Sequence, residues 1–123
     1  MYELMVEGNF DAAHQLMGYK GPCENLHGHT WKAQIYLQGS KLGKQDMLMD
    51  FKKVKKMLAE VLDIFDHQCL NKLAAFKTLS PTSENVARTI YGSIKDKMRK
   101  EKNVILHKVT VYESEITSAT YWE

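Results

Sequence analysis

The stretch from Cys23 to Gln38 reads CENLHGHTWKAQIYLQ, and it decides the fold. From Trp31 onward apolar and polar residues alternate, which is typical of a β-strand with one buried face. Side chains on a strand alternate between faces, so His27 and His29 point the same way and can bind one ion. The sequence therefore predicts a strand that carries a metal site at its start.

A third histidine, His14, ends the run FDAAH, so three of the five histidines fall within sixteen positions. Three nitrogen ligands with a fourth position open are typical of catalytic zinc, whereas structural zinc is normally enclosed by four protein ligands. With only two cysteines, the chain cannot build a cysteine-rich structural site. The pattern predicts that His14, His27 and His29 hold a catalytic metal.

Length and composition indicate the broad class. We expect the 123 residues, 1–123, to form a single domain, and the 44% hydrophobic and 26% charged residues are typical of a soluble globular protein. The formal charge of +2 is too small to indicate a nucleic-acid partner. The first seven residues include glutamates where a signal peptide would be apolar, and no stretch approaches membrane-spanning length. We therefore expect a cytoplasmic protein with no membrane partner.

The hydrophobic pattern predicts the order strand, strand, helix, helix, strand, strand. A helix is expected after Asp50, whose side chain can cap it, and a second one from Ser80–Glu84, with a proline in its first turn. Both helices can cover one face of an antiparallel four-stranded sheet, an α+β fold. Bare sheet edges invite pairing with another copy, so we expect a homo-oligomer. The strands are predicted at residues 2–10, 30–38, 104–112 and 117–121.

Further residues can carry chemistry. Cys23 precedes the HGH triplet, and a cysteine beside a bound cation can act as a thiolate base or nucleophile. Asp66 can fix the tautomer of His67 for proton exchange, although the helix dipole alone also favours a histidine at a helix C-terminus. Glu113 ends a strand, where a carboxylate can accept two hydrogen bonds from a guanine-like ring. The sequence alone does not distinguish it from Glu115.

Taken in order, the motifs FDAAH, CxxxHGH, DH followed by LN, PTSEN and VYE resemble the 6-pyruvoyl-tetrahydropterin synthase and 6-carboxytetrahydropterin synthase family, from Phe10 to Glu113. The resemblance implies a tunnelling fold, a ββααββ unit that assembles through sheet edges into trimers and then hexamers. Active sites would lie between subunits. It also implies Zn²⁺ as cofactor and a pterin triphosphate as the small-molecule substrate.

The resemblance also implies roles for individual residues. By this resemblance, the zinc ligands are His14, His27 and His29, the general base is Cys23, the proton relay is Asp66 and His67, the pterin anchor is Glu113, and the pterin pocket is lined by Thr82, Ser83 and Glu84.

The loop around Cys23 distinguishes between reactions. Three residues between Cys23 and His27 resemble the bacterial and archaeal 6-carboxy enzymes, whereas animal 6-pyruvoyl synthases have a longer gap. The implied reaction converts 7,8-dihydroneopterin triphosphate to 6-carboxy-5,6,7,8-tetrahydropterin with loss of triphosphate and acetaldehyde, toward queuosine. Glu24 departs from this pattern and resembles the variant that cleaves the same substrate to 6-hydroxymethyl-7,8-dihydropterin for folate synthesis, alone or as a second activity. A 6-pyruvoyl synthase and a non-catalytic metal- or pterin-binding module are also compatible with these residues.

Overall fold

A computed structural model of the chain describes residues 1–18, 21 and 25–123, so Cys23 and Glu24 lie outside the described residues. Short 3₁₀ turns lie at Lys44–Asp46, Leu70–Lys72 and Ala74–Phe76. The strands and helices are, in chain order, β1 (Tyr2–His14), β2 (His27–Gly39), α1 (Phe51–Leu62), β3 (Gln68–Cys69), α2 (Ser83–Lys97), β4 (Ile105–Ser114) and β5 (Thr117–Trp122).

The strands form one sheet in the order β3-β1-β2-β4-β5. β1 and β2 pair antiparallel along their whole length, from Tyr2 opposite Gly39 to His14 opposite His27. β2 pairs antiparallel with β4, and β4 with β5. The predicted α+β class is confirmed, and the predicted element order holds except for the short strand β3 between the two helices.

The strand count differs from the four that the sequence predicts, because β3 adds a fifth strand at the edge of the sheet. β3 has two residues and pairs in parallel with Ala12 and Ala13 of β1. Two residues are too few to show an alternating pattern, so hydrophobic periodicity could not reveal this strand.

Both helices begin at side-chain caps. Asp50 Oδ1 accepts the N–H of Lys52 at 2.8 Å, as the sequence predicts. Thr82 Oγ1 accepts the N–H of Asn85 at 3.2 Å. Because Thr82 takes the N-cap position, Pro81 lies before the cap, and the prediction of a proline in the first turn is wrong.

The helices cover one face of the sheet. On β2 the alternate residues from Trp31 to Leu37 are fully buried, while those between them are partly exposed. Apolar stripes of α1 and α2 join the same core. Among the described residues, no helix combines the length and the apolar character that crossing a bilayer requires. The buried stripes are formed by Val54, Leu58 and Val61 of α1 and by Val86, Ile90 and Ile94 of α2.

Candidate metal centre and active site

The three predicted histidine ligands meet at one end of the β1–β2 pair. His14 lies opposite His27, and Ala12 lies opposite His29, so the three rings share the helix-covered face. The ring centroids are 4.5 Å apart for His14 and His27, 5.2 Å for His14 and His29, and 4.7 Å for His27 and His29. The structure therefore brings the three imidazoles together.

Main-chain carbonyls orient two of these rings. His14 Nδ1 lies 2.8 Å from the Pro81 carbonyl oxygen, and His27 Nδ1 lies 2.7 Å from that of Asn25. Because a carbonyl only accepts, each Nδ1 carries the proton and each Nε2 keeps its lone pair.

The Nε2 atoms of His14 and His29 are buried and have no hydrogen-bond partner among the described residues. His14 as a whole is fully buried. Buried polar atoms are normally paired, and an imidazole whose Nδ1 is held by a carbonyl is the usual form of a metal ligand. The donor set and its orphaned nitrogens fit a divalent transition metal.

Trp31 forms the floor under the cluster. Its ring packs edge-on against His14 and His29, with centroid distances of 4.9 Å and 5.6 Å. It also stacks on Phe10 at 5.7 Å, and its Nε1–H donates to the Ala12 carbonyl at 3.2 Å. Because Trp31 is fully buried, it limits the rotation of the rings above it.

Glu113 of β4 brings a carboxylate to the same cluster. Its Oε1 lies 3.2 Å from His29 Nε2, without the alignment of a hydrogen bond, and its Oε2 lies 3.8 Å from His14 Nε2. Ser83 Oγ donates to Oε2 at 3.2 Å. The donor atoms of the three histidines and Glu113 all lie within 4.8 Å of one another. The described residues thus include a cluster of three histidines and one glutamate whose donor atoms are close enough together to hold one metal ion.

The surroundings of His29, the partly exposed member of the cluster, change the pKa of its ring. Burial lowers the pKa of His29 below its usual value, the Glu113 carboxylate opposes this, and His14 and His27 add to the lowering. A lowered pKa keeps the imidazole neutral near neutral pH, and the neutral form is the one that binds a metal.

Asp66 and His67 form a second group beside β1. Asp66 Oδ2 lies 3.0 Å from His67 Nδ1, and Asp66 Oδ1 accepts the Asp11 N–H at 2.9 Å. The His67 N–H donates to the Asp11 carbonyl at 2.6 Å, which helps hold His67 at a left-handed φ of 57°. The Asp11 N–H, together with the His67 ring, holds the pKa of Asp66 below its usual value. The predicted pair is therefore in contact.

This pair opens onto the opposite face of the sheet. Asp11 and Thr30 lie opposite each other on strand positions that point away from the helices, and Thr30 Oγ1 donates to Asp11 Oδ1 at 2.7 Å. His67 borders a cleft of about 560 Å³ together with these two residues, and its side chain is 79% exposed. The three imidazole rings lie on the other face, although His29 also lines this cleft. Among the described residues, the ligand atoms of His67 and Asp66 group with Asp11 and not with the imidazole cluster.

Two of the remaining predicted site residues lie at the start of α2, and two lie outside the described residues. The Thr82 hydroxyl caps α2, and Glu84 is exposed in the first turn of that helix. Cys23 and Glu24 lie outside the described residues, so their roles stay predictions.

Sequence reasoning missed several residues that orient the site. Pro81 and Asn25 act through main-chain carbonyls, and Asp11 acts mainly through its N–H and C=O, so their side chains give no signal. Asn71 hydrogen-bonds the main chain of Gln15 through its side-chain amide. The only signal for it was the LN of the motif that follows DH.

Comparison with known proteins agrees with this geometry. The chain is 33% identical over 128 residues to the 6-carboxy-5,6,7,8-tetrahydropterin synthase of Synechocystis sp., covering 99% of this chain and 94% of that one. It is 35% identical over 92 residues to the dihydroneopterin monophosphate aldolase of Pyrococcus furiosus, covering 75% and 74%. The solved 6-pyruvoyl tetrahydropterin synthase of Caenorhabditis elegans matches with a TM-score of 0.89 at 32% identity, covering 99% and 95%. Residues 3–123 match the family described as 6-pyruvoyl tetrahydropterin synthase, and the chain belongs to that family.

Proposed function

We propose that the protein is a zinc enzyme that converts 7,8-dihydroneopterin triphosphate to 6-carboxy-5,6,7,8-tetrahydropterin, with release of triphosphate and acetaldehyde, in the synthesis of 7-deazapurines such as queuosine. The observation that carries the proposal is the pair of buried Nε2 atoms of His14 and His29, which have no hydrogen-bond partner in the described part of the chain, with the His27 ring beside them. The family match and the identity to a 6-carboxytetrahydropterin synthase support this reaction.

In this mechanism, three histidines would hold zinc through their Nε2 atoms: His14, His27 and His29. A zinc ion in this site supplies Lewis-acid polarisation to the hydroxyls of the substrate side chain. Glu113 accepts two N–H groups of the pterin ring, and Ser83 holds one of its carboxylate oxygens in place.

Protons are moved by residues on either side of the substrate. Cys23 removes a proton as a thiolate, a role that is supported by its position four residues before His27. Because the Nδ1–H of His67 faces Asp66, the Nε2 of His67 is the atom that exchanges a proton with the substrate.

The two faces of the sheet imply that catalysis needs more than one copy of the chain. His67 opens away from the imidazole cluster, so we assign it to the active site of a neighbouring copy. Among the described strands, β1 is paired on its outer side only at Ala12 and Ala13, and β5 forms the opposite edge. Free edges on both sides suit head-to-tail pairing into a ring, such as the trimers of a hexamer.

Complementation tests this arrangement. His14→Ala removes the metal site and His67→Ala removes the relay, so each variant alone is expected to be inactive. Random 1:1 co-assembly of the two should recover about a quarter of wild-type activity, since one site in four then combines both intact residues. No recovery in verified mixed oligomers would place both residues in the same site of one chain and refute the shared site.

Product analysis tests the reaction. Zinc-loaded protein is incubated with 7,8-dihydroneopterin triphosphate, and the pterins are separated by chromatography. We expect the 6-carboxy product from the wild type, and no product from Cys23→Ala although zinc is retained. Zinc binding without release of triphosphate would indicate a binding module, and a 6-pyruvoyl product would indicate the other branch of the family.

Cleavage of the same substrate to 6-hydroxymethyl-7,8-dihydropterin is a second candidate activity. It is favoured by Glu24 next to Cys23, since a carboxylate is a competent base at neutral pH, and by the identity to an archaeal dihydroneopterin monophosphate aldolase. If this activity exists, Glu24→Ala should remove the hydroxymethyl product and leave the 6-carboxy product. Absence of the hydroxymethyl product in both wild type and Cys23→Ala would refute it.

A further inference from the structure

The chain from Asp66 to Asn71 runs alongside the last residues of β1. β3 pairs there with β1 through its main chain. Beyond β3 the main chain turns into the 3₁₀ segment Leu70–Lys72, and a side chain continues the pairing. Asn71 Oδ1 accepts the N–H of Gln15 at 2.8 Å, and Asn71 Nδ2 donates to the carbonyl of Gln15 at 2.8 Å. The Asn71 amide thus replaces the main chain of a neighbouring strand.

Gln15 directly follows the buried ligand His14. The β1–β2 pairing ends where His14 faces His27, so the main chain just beyond the ligand is held by Asn71 instead. The neighbouring Leu70 is fully buried and anchors the turn that carries Asn71. The main chain is therefore fastened both before and after His14.

We propose that Asn71 is a positioning residue of the metal centre. It fixes the main chain after His14, so that the ring keeps its bond to the Pro81 carbonyl and directs Nε2 toward the other two imidazoles. The same short segment begins with Asp66 and His67, so it sets the place of the buried ligand and of the relay together. This inference rests on the zinc centre of the proposed function.

The chemistry of the contact requires an amide. Gln15 presents one donor and one acceptor, and of the short side chains only Asn carries a donor and an acceptor on two separate atoms. Asn71→Ala loses both hydrogen bonds, whereas Asn71→Asp keeps an acceptor for the N–H but places a carboxylate against the Gln15 carbonyl. We therefore expect a smaller effect on the metal centre from Asn71→Asp than from Asn71→Ala. Gln38→Ala is the matched control, because it loses a 2.7 Å side-chain hydrogen bond to Glu3 at the other end of the same strand pair.

The first measurement needs no metal. In the zinc-free protein, NMR follows the exchange with water of the His14 Nδ1 proton, which is buried and bonded to Pro81 in the wild type. We expect Asn71→Ala to accelerate this exchange by about tenfold or more through local opening, and Gln38→Ala to leave it unchanged.

The second measurement is zinc affinity by competition with a chelator. Loss of outer contacts that orient a ligand typically costs about 10- to 100-fold, so we expect about tenfold weaker binding in Asn71→Ala and a smaller loss in Asn71→Asp. Gln38→Ala should bind zinc like the wild type.

The inference would be overturned if Asn71→Ala showed the same proton exchange rate and the same zinc affinity as the wild type. It would also be overturned if Gln38→Ala changed both quantities as much as Asn71→Ala, because that would indicate a general loosening of the strand pair. Should Asn71→Ala fail to fold, Asn71→Asp decides by the same two readouts. Zinc binding without turnover in the wild type would refute the proposed reaction and leave this inference intact. A wild type that binds no zinc would refute the metal centre and this inference with it.

Discussion

Glu113 stands where it can serve either as a fourth metal ligand or as the anchor of the pterin ring. Two ligand atoms on a tetrahedral zinc are about 3.4 Å apart, and Glu113 lies 3.2 Å from His29 Nε2 and 3.8 Å from His14 Nε2. The distances thus permit both roles. We expect the anchor role, since catalytic zinc keeps one position open for substrate and the Ser83 hydroxyl already holds Glu113 Oε2.

Glu113→Gln separates the two roles because it keeps the volume, removes the charge and turns one acceptor oxygen into a donor. As an anchor, the carboxylate forms two charge-assisted hydrogen bonds with the ring, each worth about 1.5–3 kcal/mol. The amide of Glu113→Gln would keep one acceptor oxygen, but its NH₂ group would face the second ring N–H, so that two donors would oppose each other. The loss is then about 3–4 kcal/mol, which corresponds to about 10²- to 10³-fold in kcat/KM.

The assay pairs steady-state release of triphosphate with chelator competition for zinc. Glu113→Gln should retain zinc within about threefold. Losing even an outer contact of a ligand typically costs about 10- to 100-fold in affinity, and losing a ligand itself should cost more. Glu115→Gln is the control, because it makes the same chemical change two residues away on an exposed side chain. A fall in zinc affinity that accounts for the whole loss of activity would refute the anchor role and make Glu113 a ligand.

Five other substitutions, at four positions, test the surroundings of single residues. Because a main-chain N–H and the neighbouring imidazole depress the pKa of Asp66, its stabilising effect is present at neutral pH and is lost as the pH falls below about 4. In thermal unfolding with chelator present, Asp66→Asn should therefore show a shallower loss of Tm on acidification than the wild type. Gly39→Ala places a Cβ 2.5 Å from a main-chain carbonyl oxygen and should destabilise by about 1–3 kcal/mol. Gly92→Ala, in open space on α2, should stabilise by about 0.5–1 kcal/mol, and equal denaturant midpoints for the two variants would contradict both expectations. Ser83→Ala should lower kcat/KM about threefold to tenfold by freeing Glu113, and Ser83→Thr should restore it; an unchanged KM in Ser83→Ala would argue against this contact in binding.

The metal cluster could be predicted because strand periodicity is a strong local signal. The HGH spacing places two rings on one face, and the FDAAH run places a third on the neighbouring strand. The cap at Asp50 was equally predictable, since a carboxylate before an apolar stripe meets the free N–H groups of the first turn. These features depend on residues close together in sequence.

Features that depend on contacts distant in sequence could not be predicted from the local residue pattern, and only the family resemblance pointed to Glu113. The choice of Glu113 over Glu115 depends on the distance to two imidazoles more than eighty residues earlier. The left-handed backbone of His67 is held by the main-chain carbonyl of Asp11, and every residue except proline at position 11 would keep both its carbonyl and its N–H in place. Such contacts leave no mark on residue type.

The periodicity that gathers the imidazoles also separates them from the relay. His14 is three residues from Asp11, an odd number, so the pleat turns their side chains to opposite faces. Asp66 and His67 are hydrogen-bonded to the main chain of Asp11, and His67 lies on the same face of the sheet as the Asp11 carboxylate. A one-residue shift of β1 that turned Asp11 to the cluster's face would also turn His14 away from its partner ligands. On the proposed mechanism, a chain built in this way needs a second copy to bring the relay to its metal site, and that copy would do so without disturbing the register of the first.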